Sequence, residues 1–221
     1  MAKEPDPMIL YHFPTSPFSR RVRLVLAHKG LSADLRDIRA NTETRDDALR
    51  LNPLHTVPVL VDGARVVNDS AAIGHYLDRK VPTPPLWPSG LDGADAFELA
   101  ALTDSVIKIL SDLGIRYHSL TASPAFPTVR AEMVGRVERA LGELADRVQA
   151  RGAPGVPLCG DRWSAADIAV YTTVSWLEGL PGRAATVPAA RQIVDLRWSL
   201  PAVLSTWADA HRRREDVVAL G

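Results

Sequence analysis

Met8-Ile-Leu-Tyr-His-Phe-Pro-Thr-Ser-Pro-Phe-Ser-Arg-Arg-Val-Arg-Leu-Val-Leu-Ala-His-Lys-Gly30 reads as a strand, a tight turn and a helix in immediate succession. The apolar and aromatic run from Met8 to Phe13 is short and bounded by Pro14, as a strand should be. Val22, Val25 and Leu26 recur at helical spacing, and Gly30 falls where a helix C-cap is expected. Pro17 suits the first helical position, because its φ is preset and no backbone donor is lost there. Ser16 is then the expected N-cap.

Working outward, residues 33–39 predict a second strand, although Leu35 and Ile38 do not alternate cleanly. Asn41 to Leu51 is polar and partly helical, ending at Asn52-Pro53. Val57 to Val61, Asp62-Gly63 and Arg65 to Val67 predict a hairpin, with the Asp-Gly pair in the turn. Asn68 or Asp69 can cap a following helix whose apolar face is Ala72, Ile73, Tyr76 and Leu77. Val81 to Pro88 holds four prolines and reads as a stiff linker. Beyond it the periodicity is helical throughout: Phe97 to Ser119, Val129 to Arg151, Ser164 to Leu177, Pro188 to Arg197 and Pro201 to Arg213. The expected organisation is a tail over 1–7, an α/β domain over 8–80, a linker over 81–91 and an all-helical domain over 92–221.

The 221 residues are 46% hydrophobic and carry 26 basic against 26 acidic groups. Such a balance lacks the electrostatic footprint of a nucleic-acid binder. The one basic cluster, Arg212-Arg213-Arg214, suits the end of a helix dipole. A single cysteine, Cys159, forbids an internal disulfide and suits a reducing compartment. The first residues, charged and broken by proline, contain no apolar signal core. No stretch approaches the ~18 apolar residues of a membrane span, so a cytoplasmic location is expected.

Three places could carry chemistry. Ser16 has two readings: a cap that satisfies an orphan N–H, or a hydroxyl beside a helix N-terminus where an anion, including a thiolate, is favoured. A hydroxyl donating to a thiolate lowers that thiol's pKa. Pro58 is either an ordinary trans proline at an edge or a cis proline, which would leave the main chain of Val57 open to an extended peptide. Asn68-Asp69-Ser70 is a helix start, and also a place where Asp69 could meet an ammonium and Ser70 a carboxylate. Ser164-Ala-Ala-Asp167 is a capping box with Asp in place of the usual Glu or Gln, and reads as structural. The six histidines have no metal-ligand spacing, there is no glycine-rich phosphate loop, and Ser16 and Ser19 stand where a Cys-x-x-Cys pair would.

Taken together, Phe13 to Gly30, Asn52-Pro-Leu-His-Thr-Val-Pro-Val-Leu60, Asn68-Asp-Ser70 and Gly160-Asp-Arg-Trp-Ser-Ala-Ala-Asp-Ile168 resemble the cytosolic glutathione transferase superfamily, most closely its serine-type classes, tau-like and bacterial. The resemblance implies a thioredoxin-like N-terminal domain, an all-α C-terminal domain, a homodimer, and conjugation of glutathione to a small hydrophobic electrophile in detoxification, with no metal. It places Ser16 against the glutathione sulfur, Val57 before Pro58 on the cysteinyl unit, and Asp69 and Ser70 on the γ-glutamyl end. The family's acid at the first of that pair is usually Glu. The lysine often found near residues 41–44 for the glycine carboxylate is not evident, leaving Arg39, Arg45 or His55 to substitute. Phe18, Ile109, Leu113 and Tyr117 are expected to face the electrophile. The tyrosine of other classes corresponds in position to His12, with Tyr11 on the other face of the strand. A glutathione-dependent isomerase, dehalogenase or peroxidase, and a scaffold without activity, are the competing readings.

Overall fold

The structure, a computed structural model, describes residues 7–218; most of the expected tail over 1–7 lies outside the described residues. The chain forms two compact units, one from the N-terminal part to Pro88 together with the segment from Arg213, the other Ser89–Arg212.

In the first unit, β1 (Ile9–His12), α1 (Pro17–His28), β2 (Asp34–Asp37), α2 (Thr42–Leu51), β3 (Val59–Asp62), β4 (Arg65–Asn68) and α3 (Ser70–Lys80) follow in order. The sheet runs β2-β1-β3-β4, with β1 parallel to β2 and antiparallel to β3, and β4 antiparallel to β3. Side chains alternate between its faces. Leu10 and Leu60, paired across β1 and β3, are fully buried on one side, where α1 and α3 contribute Val22, Val25, Ile73 and Leu77. Tyr11 and Val59 turn to the other side and pack with Ala48 of α2. This is the thioredoxin-like arrangement expected for the N-terminal part.

Two local readings shift. The second strand spans only Asp34–Asp37, because Asp37 Oδ1 accepts the Arg39 N–H at 2.9 Å and turns the chain. The β3–β4 turn consists of Gly63 and Ala64 rather than Asp62 and Gly63. Asp62 pairs with Arg65 as a strand residue, and Gly63 alone takes the left-handed φ of 58°. Asp62 instead accepts from the Tyr76 hydroxyl at 2.6 Å and from Lys80. At the end of α1, the buried Lys29 ammonium donates to the Asp78 carboxylate and to the carbonyls of Val81 and Pro84. It thereby fixes the proline-rich segment to α3.

The second unit is helical: α4 (Leu91–Ile115), α5 (Tyr117–Thr121), α6 (Phe126–Ala150), α7 (Ala165–Glu178), α8 (Leu180–Arg183), α9 (Pro188–Asp195) and α10 (Ala202–His211). The run read as Phe97 to Ser119 breaks at Arg116. α6 starts at Phe126, not Val129, since Pro127 is tolerated in a first turn. Every residue of α7 but Glu178 is buried, which explains its nearly continuous apolar sequence. Where α4 meets α9, Gly114 lies so close to Ile193 that a Cβ there would overlap its side chain. α7 is capped as the Ser164 to Asp167 spacing predicts. Asp167 Oδ2 accepts the Ser164 N–H at 2.8 Å and hydroxyl at 2.7 Å, while Oδ1 reaches back to the Leu158 N–H at 2.8 Å.

The expected extent of 92–221 for the helical part needs correction at its end. α11 (Glu215–Val218) belongs to the first unit and packs on α1, with Asp216 Oδ2 3.1 Å from His28 Nδ1 and both Asp216 oxygens bonded to Arg214. The arginine run therefore divides. Arg212 pairs with Asp209 and Glu178 in the second unit, and Arg214 with Asp216 in the first. No helix among the described residues is long and apolar enough to cross a membrane.

Candidate functional site

Strand register gathers the candidates of the first unit. Tyr11 pairs with Val59, and Val59 with Asn68. The exit of β1, the entrance of β3 and the exit of β4 therefore lie at one end of the sheet. Ser16 follows the first, Val57 and Pro58 precede the second, and Asp69 and Ser70 follow the third.

Ser16 is the N-cap of α1: extended backbone, half-buried, its oxygen accepting the Ser19 N–H at 3.3 Å. Pro17 occupies the first helical position, and no acidic residue lies in the first turn. The helix dipole and the first-turn N–H groups thus favour an anion beside the hydroxyl. Ser19 is fully buried, and its hydroxyl accepts the Phe13 N–H at 3.2 Å. The loop is held further by Arg23, which donates to the Pro14 carbonyl at 2.9 Å, and by Arg39, which lies over the Phe13 ring at 3.5 Å.

The Val57–Pro58 peptide is cis, the second of the two alternatives open in the sequence. Among the described residues no hydrogen bond engages the Val57 N–H or carbonyl. The preceding loop is shaped by Asn52, which is buried. Its amide donates to the Thr56 carbonyl at 2.8 Å and hydroxyl at 3.0 Å, and its oxygen accepts the Leu54 N–H at 2.9 Å. His55 lies exposed on this loop with a left-handed φ of 53°.

Asp69 has φ 74° and ψ 134°, a conformation that costs a non-glycine residue on the order of 1–3 kcal/mol. It holds the carboxylate over the start of α3, with Oδ1 accepting from Ala71 N–H at 2.8 Å and Ala72 N–H at 3.2 Å. Asp69 is exposed, whereas Ser70 is buried and its oxygen accepts from Arg21 Nη1 at 3.4 Å.

Arg21 is a residue that sequence reasoning missed. In the sequence it is one of several arginines in α1. Only the approach of α1 to α3 singles it out as a buried cation behind Ser70.

Tyr11 is buried, and its phenol oxygen accepts from Arg36 at 3.3 Å, so it is committed to the β2 side. His12 faces the opposite side and is buried with Nδ1 unpartnered. Burial, then the charge of Arg23, lowers its pKa against the opposing pull of Asp37. Of the residues expected to face an electrophile, Phe18 is half-buried on α1. Ile109, Leu113 and Tyr117 belong to the second unit: Ile109 is half-buried and Leu113 buried on α4, and Tyr117 meets Phe126 edge-on at 5.6 Å. No group of three or more histidine, cysteine or acidic side chains among the described residues could hold a metal ion.

Residues 10–85 match the family model for the glutathione S-transferase N-terminal domain, and residues 127–210 the model for the C-terminal domain. A probable glutathione S-transferase GSTU1 of Oryza sativa subsp. japonica is 34% identical over 183 residues, covering 80% of this chain and 76% of that protein. A stringent starvation protein A homolog of Coxiella burnetii is 43% identical over 81 residues, a match confined to 37% of this chain and 38% of the relative's length. Among solved structures, a glutathione S-transferase from Methylobacterium radiotolerans in complex with glutathione sulfonate superposes with a TM-score of 0.74 at 26% identity. That match covers 96% of this chain and 93% of the other.

Proposed function

Because the chain belongs to the glutathione S-transferase family, we propose that it binds glutathione and conjugates it, through its sulfur, to a small hydrophobic electrophile. Ser16 stabilises the thiolate in this reading. The thiol proton leaves to solvent, the serine keeps its own proton and donates a hydrogen bond, and sulfur attacks the electrophile as the leaving group departs. The observation that carries this reading is the placement of the Ser16 hydroxyl at the N-terminus of α1, half-buried, in a first turn without acidic side chains. The glutathione sulfonate complex of the Methylobacterium radiotolerans glutathione S-transferase supports the choice of thiol.

The remaining contacts follow from the chemistry of the tripeptide. The main chain of Val57, beside Pro58, offers an N–H and a carbonyl to the cysteinyl unit. Asp69 takes the γ-glutamyl ammonium. Ser70, with the buried Arg21 behind it and the α3 N-terminus beside it, takes the carboxylate. His55 is the candidate on the loop for the glycine end. The homodimer usual in the family belongs to the same proposal and is checked by light scattering.

Ser16→Ala tests the central role. It should lower kcat/KM for a generic aryl halide about tenfold to a hundredfold, the worth of one hydrogen bond to a charged group. Glutathione affinity measured by calorimetry should stay within about threefold of the parent. Full activity of the variant at neutral pH would remove Ser16 from the mechanism. Absence of glutathione binding to the unaltered protein would remove the whole reading.

A further inference from the structure

The turn that presents Ser16 is closed by a second serine, Ser19, which is fully buried. Phe13, Ser16 and Ser19 are joined in a ring of three hydrogen bonds. The Ser16 N–H donates to the Phe13 carbonyl at 3.0 Å, the Phe13 N–H to Ser19 Oγ at 3.2 Å, and the Ser19 N–H to Ser16 Oγ at 3.3 Å. A plain N-cap needs only the last of these. The Phe13 N–H lies beyond the end of β1 and has no strand partner, and Ser19 Oγ is what accepts it. Ser19 is 0% exposed, so this contact is shielded from water, which could otherwise take its place.

The ring bears on where the Ser16 proton points. A serine hydroxyl has one proton and two acceptor lone pairs. With the Ser19 N–H directed into one lone pair, the oxygen is held in the acceptor role toward the helix and its proton turns away from it. That proton is what a sulfur anion at the helix N-terminus needs. A hydrogen bond weakens steeply as its angle opens, so a looser turn costs the thiolate more than it costs the neutral thiol.

We propose that Ser19 is a positioning residue, which locks the β1–α1 turn through the Phe13 N–H and so aims the Ser16 hydroxyl at the glutathione sulfur. The proposal rests on the thiolate reading of Ser16 given above. It also explains why Ser19 does not compete for the same role: its oxygen is buried and directed back at Phe13, not outward past Pro17. Arg23 on the Pro14 carbonyl is a second tie on the same turn, but it holds the middle of the loop and not the Ser16 hydroxyl.

The test is a double-mutant cycle of Ser19→Ala and Ser16→Ala, read by the ultraviolet absorbance of enzyme-bound glutathione thiolate as a function of pH. Ser19→Ala should raise the bound thiol's pKa by about 0.5 to 1 unit, the effect of one neutral hydrogen bond, with glutathione affinity, measured below that pKa where the bound thiol is neutral, within about twofold of the parent. In the Ser16→Ala background the same substitution should leave that pKa where Ser16→Ala alone puts it, because its effect passes through the missing hydroxyl. An unchanged pKa in Ser19→Ala overturns the proposal. Equal shifts in both backgrounds, or a loss of affinity for the neutral thiol as large as the shift, also overturn it and assign Ser19 to general support of the fold. If Ser16→Ala itself leaves the thiol's pKa unaltered, the thiolate reading falls and the proposal falls with it, a failure visible before any Ser19 variant is made. Should Ser19→Ala not fold, Ser19→Cys keeps the shape with a weaker acceptor. It should give a smaller shift of the same sign, and no shift would count against the proposal.

Discussion

Arg21 Nη1 donates to Ser70 Oγ at 3.4 Å, linking two buried side chains on α1 and α3 that are 49 residues apart in sequence. The contact sets a guanidinium beside the hydroxyl proposed to take the γ-glutamyl carboxylate. Arg21→Met should raise the glutathione KM about tenfold, some 1.4 kcal/mol of binding, while kcat at saturation changes by less than about threefold. Arg21→Lys should recover only part of the loss, because an ammonium lacks the planar fork. Steady-state kinetics with glutathione varied would decide it, and an unchanged KM would detach Arg21 from the ligand.

Asp167 carries the strongest structural expectation. Three donors, the Leu158 N–H and the N–H and hydroxyl of Ser164, converge on its two oxygens in a buried setting. Burial pushes its carboxyl up, against the pull of these hydrogen bonds. Asp167→Ala strands the donors at the start of the buried helix α7 and should cost about 3 kcal/mol of stability. Urea unfolding with the slope unchanged would measure the loss. A cost under about 1 kcal/mol would mean that water replaces the carboxylate.

The contact between Asp216 and His28 predicts an acid dependence. Burial raises the Asp216 carboxyl, but hydrogen bonds from His28 and Arg214 and their charges outweigh it and leave the pKa at about 2, below the ordinary 3.8. Since the folded value is the lower one, the contribution to stability is complete above the ordinary value and disappears as pH falls toward 2. Asp216→Asn should therefore be less stable than the parent by about 2 kcal/mol near neutrality. The gap should narrow in acid and close near the folded pKa. A gap that is constant through this range would show that the contact acts by packing and not by charge.

Cys159 should be inert in the folded protein. Cys159 is 4% exposed, and burial, followed by the charge of Asp167 and of Asp95 and Asp92, pushes its thiol pKa up to about 12. At pH 8 the thiolate fraction is then about one part in ten thousand. A chromogenic disulfide reagent should find no thiol until denaturant is added, and one thiol afterwards. Rapid labelling of the native protein would contradict both the burial and the charge environment.

Much of this was legible because it is local. The Ser-Pro pair after an apolar run dictates a helix start, and Ser16 caps α1 as that pattern requires. The Ser164 to Asp167 spacing dictates a capping box, and one forms. Proline misled where it served two roles: Pro127 reads as a break but sits inside the first turn of α6. Asp62-Gly63 reads as the turn itself, yet Tyr76 and Lys80 keep Asp62 in its strand, which moves the turn one residue on. Neither Tyr76 nor Lys80 is near in sequence, so no local pattern could have shown the shift.

Local sequence signals were enough to give the order of the strands and longer helices, the α/β part before the helical part, and the three segments that carry the proposed site, but not the short helices α5, α8 and α11. Caps, periodicity and proline positions act within a few residues, and a linear reading captures them. What those segments share follows from how the chain packs. The pairing of Tyr11 with Val59 and of Val59 with Asn68 brings three distant loops to one sheet end. The approach of α1 to α3 puts Arg21 behind Ser70. The return of the chain at Asp216 ties α11 to α1. Each of these depends on which surfaces are buried together, a property of the folded chain as a whole that no stretch of sequence contains alone.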